Sequence, residues 1–255
     1  MKLWVLMENT ANPGFQCEHG LSLYIEACGQ RILFDAGQSA AFADNAEKLG
    51  LDLGKVDIAI LSHGHYDHSG GLDQFLTLNP TAPIYLSRHA FDPHHNALGK
   101  YIGIDPALAN SSRLTYVDNE INLAPGLRLL RCNHLPHPHP IQHFGLTSGG
   151  EPEDFRHELY LSIRENGKHI LISGCSHKGI LNIVHWFSPD ILVGGFHFKS
   201  IDPQDPQLTA AAMELRRSGT TYYTGHCTGQ SQFDIMKPIM DRQLTAIHAG
   251  DVFEL

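Results

Sequence analysis

Leu61-Ser62-His63-Gly64-His65-Tyr66-Asp67-His68-Ser69-Gly70-Gly71 is the stretch that decides how this chain is read. It follows residues 56–61, an apolar run in which only Asp57 is polar, the mark of a strand buried on both faces. His63 and His65 are two apart, so in an extended segment they project to one side. Asp67 and His68 come where the chain turns toward a helix and offer donors from a second direction. Imidazole and carboxylate donors thus converge at one strand end, and two further donors would complete two neighbouring metal sites. The strand before and the Gly70-Gly71 pair after argue against a histidine-rich surface turn.

Outward from this motif, strands and helices alternate in two halves. Residues 2–8, 21–27 and 31–34 read as strands, the last two joined by a tight turn at Gly29-Gln30. Residues 39–49 and 72–78 read as helices, and residues 84–87 as a buried strand. Residues 114–122 and 127–131 resume strand character. Residues 159–164 and 169–172 form a second hairpin across Asn166-Gly167. Helices at 180–186, 206–217 and 231–241 then alternate with strands at 190–193, 220–223 and 245–248. No shift in composition marks a linker, so residues 1–255 read as one α/β domain with two sheets and outer helices. Residues 133–154 are rich in His, Pro and Gly, have no period, and read as a long surface loop able to lid a site.

Histidine is the compositional anomaly, 18 in 255 residues. It is the commonest metal ligand and the usual acid–base group near neutral pH. No run exceeds His94-His95, so a purification tag is excluded. The formal charge of −9, without clustered Lys or Arg, disfavours nucleic acid as a partner. No apolar stretch reaches the length of a membrane span, and the first apolar run ends at Glu8 and Asn9, too early for a secretory signal. The five cysteines (Cys17, Cys28, Cys132, Cys175, Cys227) lack framework spacing, which speaks against a disulfide scaffold and for the cytoplasm. The expected partner is a small-molecule substrate.

The segment from Ser62 to Gly71 resembles the metal-binding signature of the metallo-β-lactamase superfamily, and Phe34-Asp35-Ala36-Gly37 resembles its early Asp-x-Gly element. Ser173-Gly174-Cys175-Ser176-His177, Gly194-Gly195-Phe196-His197 and Gly225-His226-Cys227-Thr228-Gly229 resemble one branch, which includes the dihydropterin synthase-like proteins of methanopterin biosynthesis. The resemblance implies a four-layer αββα sandwich with a metal site at one edge. It implies that His63, His65 and His177 hold one metal, and Asp67, His68 and His226 the other. Cys175 stands where superfamily members usually have a bridging Asp, and a thiolate is a competent zinc ligand. The loop before that strand offers His134, His137, His139, His143 and His157 as rivals to His177. Asp35 reads as a group that orients a ligand histidine. His197 reads as a substrate-contacting or acid–base residue, or else as a packed histidine. Thr228 reads as a helix cap.

Two divalent ions at such a site can share a water, lower its pKa and clamp attacking and leaving oxygens. The expected function is therefore a metal-dependent hydrolase with a dinuclear centre, metal-bound hydroxide attacking an ester, amide or phosphoester, with Asp67 and His197 as catalytic residues. Zinc is the expected metal, with manganese, iron and magnesium as the other divalent ions. The alternatives are a bond-forming synthase on a pterin-like phosphorylated substrate, and non-catalytic metal binding or sensing. No Gly-x-Ser-x-Gly elbow supports a serine hydrolase.

Overall fold

Continuous apolar runs put β-strands where both faces are covered, and a computed structural model of residues 1–255 stacks those strands in two sheets. In chain order the elements are β1 (Lys2–Met7), β2 (Ser22–Ala27), β3 (Gln30–Phe34), α1 (Ala41–Lys48), β4 (Ile58–Ile60), α2 (Tyr66–Ser69), α3 (Leu72–Leu78), β5 (Ile84–Leu86), β6 (His94–His95) and β7 (Leu114–Tyr116). They continue with β8 (Glu120–Ala124), β9 (Leu127–Leu130), β10 (Thr147–Ser148), β11 (Glu151–Pro152), β12 (Tyr160–Glu165), β13 (Lys168–Ile172) and α4 (Ile180–Phe187). The chain ends with β14 (Ile191–Val193), α5 (Pro206–Arg217), β15 (Thr221–Thr224), α6 (Gln230–Met240), β16 (Leu244–Ala246) and β17 (Val252–Glu254).

The first sheet runs β17-β1-β2-β3-β4-β5-β7 and the second β16-β15-β14-β13-β12-β9-β8. Each is antiparallel in its hairpin half and parallel in the rest, from β3 to β7 and from β13 to β16. Apolar side chains fill three interfaces. Leu3, Ile25 and Phe34 meet Leu161, Ile172 and Val193 between the sheets. Phe42 of α1 and Phe75 of α3 cover the first sheet's outer face. Ile183, Leu215 and Met236 of α4, α5 and α6 cover the second. The result is the αββα sandwich of the metallo-β-lactamase fold.

Local chemistry explains most boundaries. Asp205 caps α5 by accepting from Gln207 N–H at 2.9 Å, with Pro206 in the first turn and Arg216 and Arg217 in the last. The Asn166-Gly167 turn is left-handed at both positions, as a two-residue hairpin requires. Other boundaries depart from the sequence reading. The first hairpin turns at Cys28-Gly29, both left-handed, rather than at Gly29-Gln30, because Ala27 pairs with Gln30. The run at 114–122 is two strands in different sheets. Between them Val117 N–H donates to Leu86 O of the first sheet, and Asn119 O accepts from Arg131 N–H of the second. Thr228 caps no helix; its Oγ1 accepts from Phe196 N–H at 2.9 Å, and Gly229 precedes α6. The loop 133–154 carries β10 and β11, which with β6 make a small third sheet.

Gly64 marks a close approach: a side chain there would overlap the Ala90 carbonyl, and its N–H donates to His157 Nδ1 at 2.9 Å. Gly64→Ala is expected to lower the unfolding free energy by about 1–3 kcal/mol. A urea midpoint equal to wild type would contradict this packing.

Candidate metal centre

The site forms where the parallel strands of both sheets end, the usual position for function in open α/β sheets. Asp35 follows β3, Ser62 and His63 follow β4, and residues 173–177, 194–197 and 225–227 follow β13, β14 and β15. Asp35, Ser176, His197 and His226 all have left-handed backbones although none is glycine. Such conformations survive only where surrounding contacts over-determine them.

Asp35 is buried and its carboxylate gathers the motif. It accepts from Ser62 N–H at 2.7 Å, Ser62 Oγ–H at 2.7 Å and His68 Nδ1 at 2.7 Å. With its own proton given to Asp35, Ser62 Oγ accepts from His63 Nδ1 at 2.8 Å. Both His63 and His68 therefore carry their proton on Nδ1 and present Nε2 as a lone pair. His226 is set by the end of β1: Glu8 accepts its backbone N–H, and Asn9 Oδ1 lies 2.9 Å from its Nδ1. Asn9 Nδ2 donates to His226 O, which fixes the amide and assigns the His226 proton to Nδ1. Glu158 holds the backbone N–H of His177 at 2.6 Å.

The structure brings His63, Cys175 and His177 together with donor atoms within 4.8 Å of one another, and does the same for His68, Cys175 and His226. Cys175 belongs to both sets. His68 Nε2 faces His226 Nε2 at 3.2 Å and Cys175 Sγ at 3.2 Å, and Asp67 Oδ2 is 3.3 Å from His226 Nε2. Two lone pairs, a thiol sulfur and a carboxylate oxygen thus converge, an arrangement that a cation satisfies. His177 Nε2 lies 3.3 Å from His63 Nε2, and His177 Nδ1 is buried without a partner. The donor chemistry of these residues fits metal, and Cys175 belongs to both groups.

His65 stands beside them, its ring centroid 4.6 Å from that of His63 and 4.9 Å from that of His177. Its Nε2 is buried without a partner and lies in a group with His94, Glu153 and His157. His157 accepts from Gly64 at Nδ1, so its proton is on Nε2 and no lone pair remains there for a metal. Among the other rivals, His139 pairs with Glu214, His143 with the Glu153 carbonyl, and His137 packs on Trp186. His134, His137, His139 and His143 join no donor cluster. His19 does: its Nε2 is 3.1 Å from Asp67 Oδ2 and 3.1 Å from Lys199 Nζ. His197 packs 4.1 Å from His177, between centroids, with Nδ1 buried and unpartnered.

Burial pushes His63, His65, His157 and His177 well below the ordinary imidazole range, so they are neutral, as ligation requires. Burial lowers His226 too, with Asp67 opposing. His68 goes up, because the Asp35 carboxylate overrides burial. Asp67 resists burial and stays well below the usual carboxylate range through His19 and His226. Burial holds the Cys175 thiol well above its usual range, a direction a cation reverses, since a coordinating thiol is deprotonated outright.

The sequence profile of the Metallo-beta-lactamase superfamily matches residues 16–226, and the chain belongs to that superfamily. It is 28% identical to the 7,8-dihydropterin-6-methyl-4-(beta-D-ribofuranosyl)-aminobenzene-5'-phosphate synthase of Methanocaldococcus jannaschii, over 100% of this chain and 96% of that protein. It is 29% identical to an uncharacterized protein of the same organism, over 88% of this chain and 90% of the relative. Among solved structures it is similar to Tm1679, a metal-dependent hydrolase of the beta-lactamase superfamily, with TM-score 0.84 and 28% identity over 100% and 99% of the two chains.

Two predictions follow from this geometry. Asp35→Ala strands three buried donors and is expected to cost about 3–5 kcal/mol of stability by urea unfolding. It should also weaken zinc binding about 10–100-fold in a chelator competition, and wild-type values would refute its orienting role. The second concerns acid. The four neutral histidines have folded pKa values below the unfolded value of about 6.5, so the unfolded chain binds protons first as pH falls. Their contribution is present above about pH 6.5 and drains below it, by at most about 1.4 kcal/mol per pH unit for each; the raised His68 acts oppositely. The metal-free protein should therefore lose urea resistance from pH 7 to pH 5, and a flat profile would show that these imidazoles are not neutral.

Proposed function

We propose that the protein is a metal-dependent hydrolase of esters, amides or phosphoesters working at a dinuclear centre. His63, His65 and His177 would hold one ion, Asp67, His68 and His226 the other, with Cys175 between them. The observation that carries the reading is the shared sulfur: Cys175 belongs to both histidine pairs, and His68 and His226 aim their lone pairs at each other beside it. Zinc suits an imidazole, carboxylate and thiolate set. Divalent ions there supply Lewis acidity and an activated water.

The chain's own residues do the rest. Asp35, Ser62 and Asn9 set the tautomers of His68, His63 and His226, and Glu8 and Glu158 anchor the backbones of His226 and His177, which lowers the reorganisation needed on binding. Lys199, next to His19 at the mouth, offers a positive charge to an anionic substrate group. His197 faces the same cavity with a buried, unpartnered Nδ1, placed to receive or give a proton at the reacting group. Asp67, buried, held ionised by His19 and His226 and lining the same cavity, is placed to orient a water or a substrate hydroxyl.

A second reading, a synthase acting on a pterin-like phosphorylated substrate, is favoured by the similarity to the archaeal synthase along the whole chain. Offering the zinc-loaded protein bis-p-nitrophenyl phosphate, p-nitrophenyl acetate and a dihydropterin diphosphate separates the two by which compound is consumed.

His65→Ala is expected to reduce bound zinc below two ions per chain and to cut hydrolysis about 100-fold or more. Full metal content with full activity would overturn the assignment. The cobalt-loaded protein should show a thiolate-to-metal charge-transfer band that Cys175→Ser removes; a band unchanged by that substitution would exclude Cys175 as a ligand.

A further inference from the structure

The histidine- and proline-rich segment takes no part in the metal centre, yet it is firmly tied down. His139 N–H donates to Asn182 Oδ1 at 2.8 Å and Asn182 Nδ2 returns a bond to His139 O at 2.9 Å. Trp186 Nε1 donates to Pro136 O at 2.8 Å, and His137 packs edge-on against the Trp186 ring. His139 Nε2 reaches Glu214 at 3.1 Å, and Gln142 bonds Gln207. The segment is thus strapped across α4 and α5, and alternate prolines stiffen it.

Beneath the strap lies a cleft of about 350 Å³. Its walls include Phe144, Ile180, Phe196, Phe198, Ile201 and Ala211, and Glu214, its one carboxylate, is paired with His139 at the rim. The cleft opens onto the metal centre: Phe144, His177 and His197 line both it and the neighbouring cavity of about 290 Å³ that holds Asp67, Cys175 and His226. A polar reacting edge and an apolar chamber therefore share one wall.

We propose that this cleft is the specificity pocket for the substrate's non-reacting arm, and that the substrate is an ester or phosphoester whose arm is apolar and ring-bearing. The inference rests on the hydrolase reading for the reacting group alone. No Lys or Arg lines the chamber and its one carboxylate is held by His139, so a charged arm would meet no free opposite charge and would be desolvated there without compensation. An apolar cavity of about 150 Å³ accepts one benzene ring, so the chamber takes a bicyclic group. The strap side chains over the cleft are His139, Pro140, Gln142 and Phe144; the two polar ones are held by Glu214 and Gln207, and the carbonyls of Pro136 and His139 are already bonded to α4.

The test measures binding apart from turnover. Zinc-loaded protein is titrated calorimetrically with methylphosphonate and with 2-naphthylmethylphosphonate, and hydrolysis of methyl and 2-naphthyl phosphate is followed in parallel. The naphthyl ligand is expected to bind more tightly by about tenfold or more. Ala211→Phe and Ala210→Phe, which fill the cleft from α5 without touching a metal donor, should abolish that preference and leave methylphosphonate binding unchanged. Ala210 is solvent-exposed, so its variant keeps the fold should Ala211→Phe strain it. Equal affinities in wild type, a preference that survives in the folded variants, or binding of neither ligand overturns the proposal. A preference without hydrolysis of either ester keeps the pocket and sinks the hydrolase reading, whereas hydrolysis without preference does the reverse.

Discussion

The Asp35 carboxylate is the interaction on which the site hangs. It is buried, it sits on a left-handed backbone just past β3, and three donors from the segment after β4 converge on it. An isolated buried carboxylate would be expensive, and each bond that offsets the cost also sets something needed elsewhere. The bond to His68 chooses a tautomer directly, and the bond to Ser62 chooses that of His63 at one remove. The backbone adds to this, since Ala36 N–H donates to His68 O and Leu21 N–H to Asp67 O. One acid thereby converts a flexible His-x-His-x-Asp-His string into a donor array of fixed direction.

The same logic recurs on the second sheet with different residues. Glu8 and Asn9 end β1 and seize the backbone and ring of His226; Glu158 does so for the His177 amide. Glu8 and Asn9 meet His226 across more than 200 residues of sequence and so bind the two sheets to each other at this edge by polar bonds as well as by the apolar seam beneath, whereas the Glu158 bond is local to the second sheet. The left-handed backbone at His226 is held in place by the Glu8 and Asn9 bonds.

What the sequence disclosed follows from this division. The motif at 63–68 was legible because its donors are neighbours in the chain and follow a buried strand. His177, His226 and Cys175 were legible through family resemblance alone, since nothing in their own surroundings distinguishes a strand-end histidine with a role from one without. Glu8, Asn9 and Glu158 were not legible as positioning residues. Glu8 and Asn9 looked like the end of an apolar run, and their partner at 226 becomes a neighbour only when β1 and β15 are stacked. The crossing at 117–119 was hidden for a related reason. Residues 114–122 have unbroken strand propensity, and only the sheet each half joins reveals the break. Among the remaining histidines tautomer counts as well as position: His157 lies beside His65, with ring centroids 5.2 Å apart, but the Gly64 amide occupies its Nδ1 and so puts its proton on Nε2.

Cys175 stands between two histidine pairs, and its chemistry differs from that of a carboxylate in the same place. A carboxylate can span two ions with two oxygens, whereas a thiolate must do so with one atom, so under the proposed reading a shared Cys175 would draw the two positions together and would favour zinc over oxygen-loving magnesium. Thiolate donation also lowers the positive charge felt at the substrate compared with a neutral donor, which leaves more of the work to the surrounding groups. Such groups line the neighbouring cavities: Lys199 at the mouth, His197 with an unpartnered Nδ1, and the cleft walled by Phe144, Ile180 and Phe196 alongside. The histidine excess thus divides by place. One set is buried and converges at the strand ends; the other lies on the strap, where His137 and His139 are tied to α4 and α5.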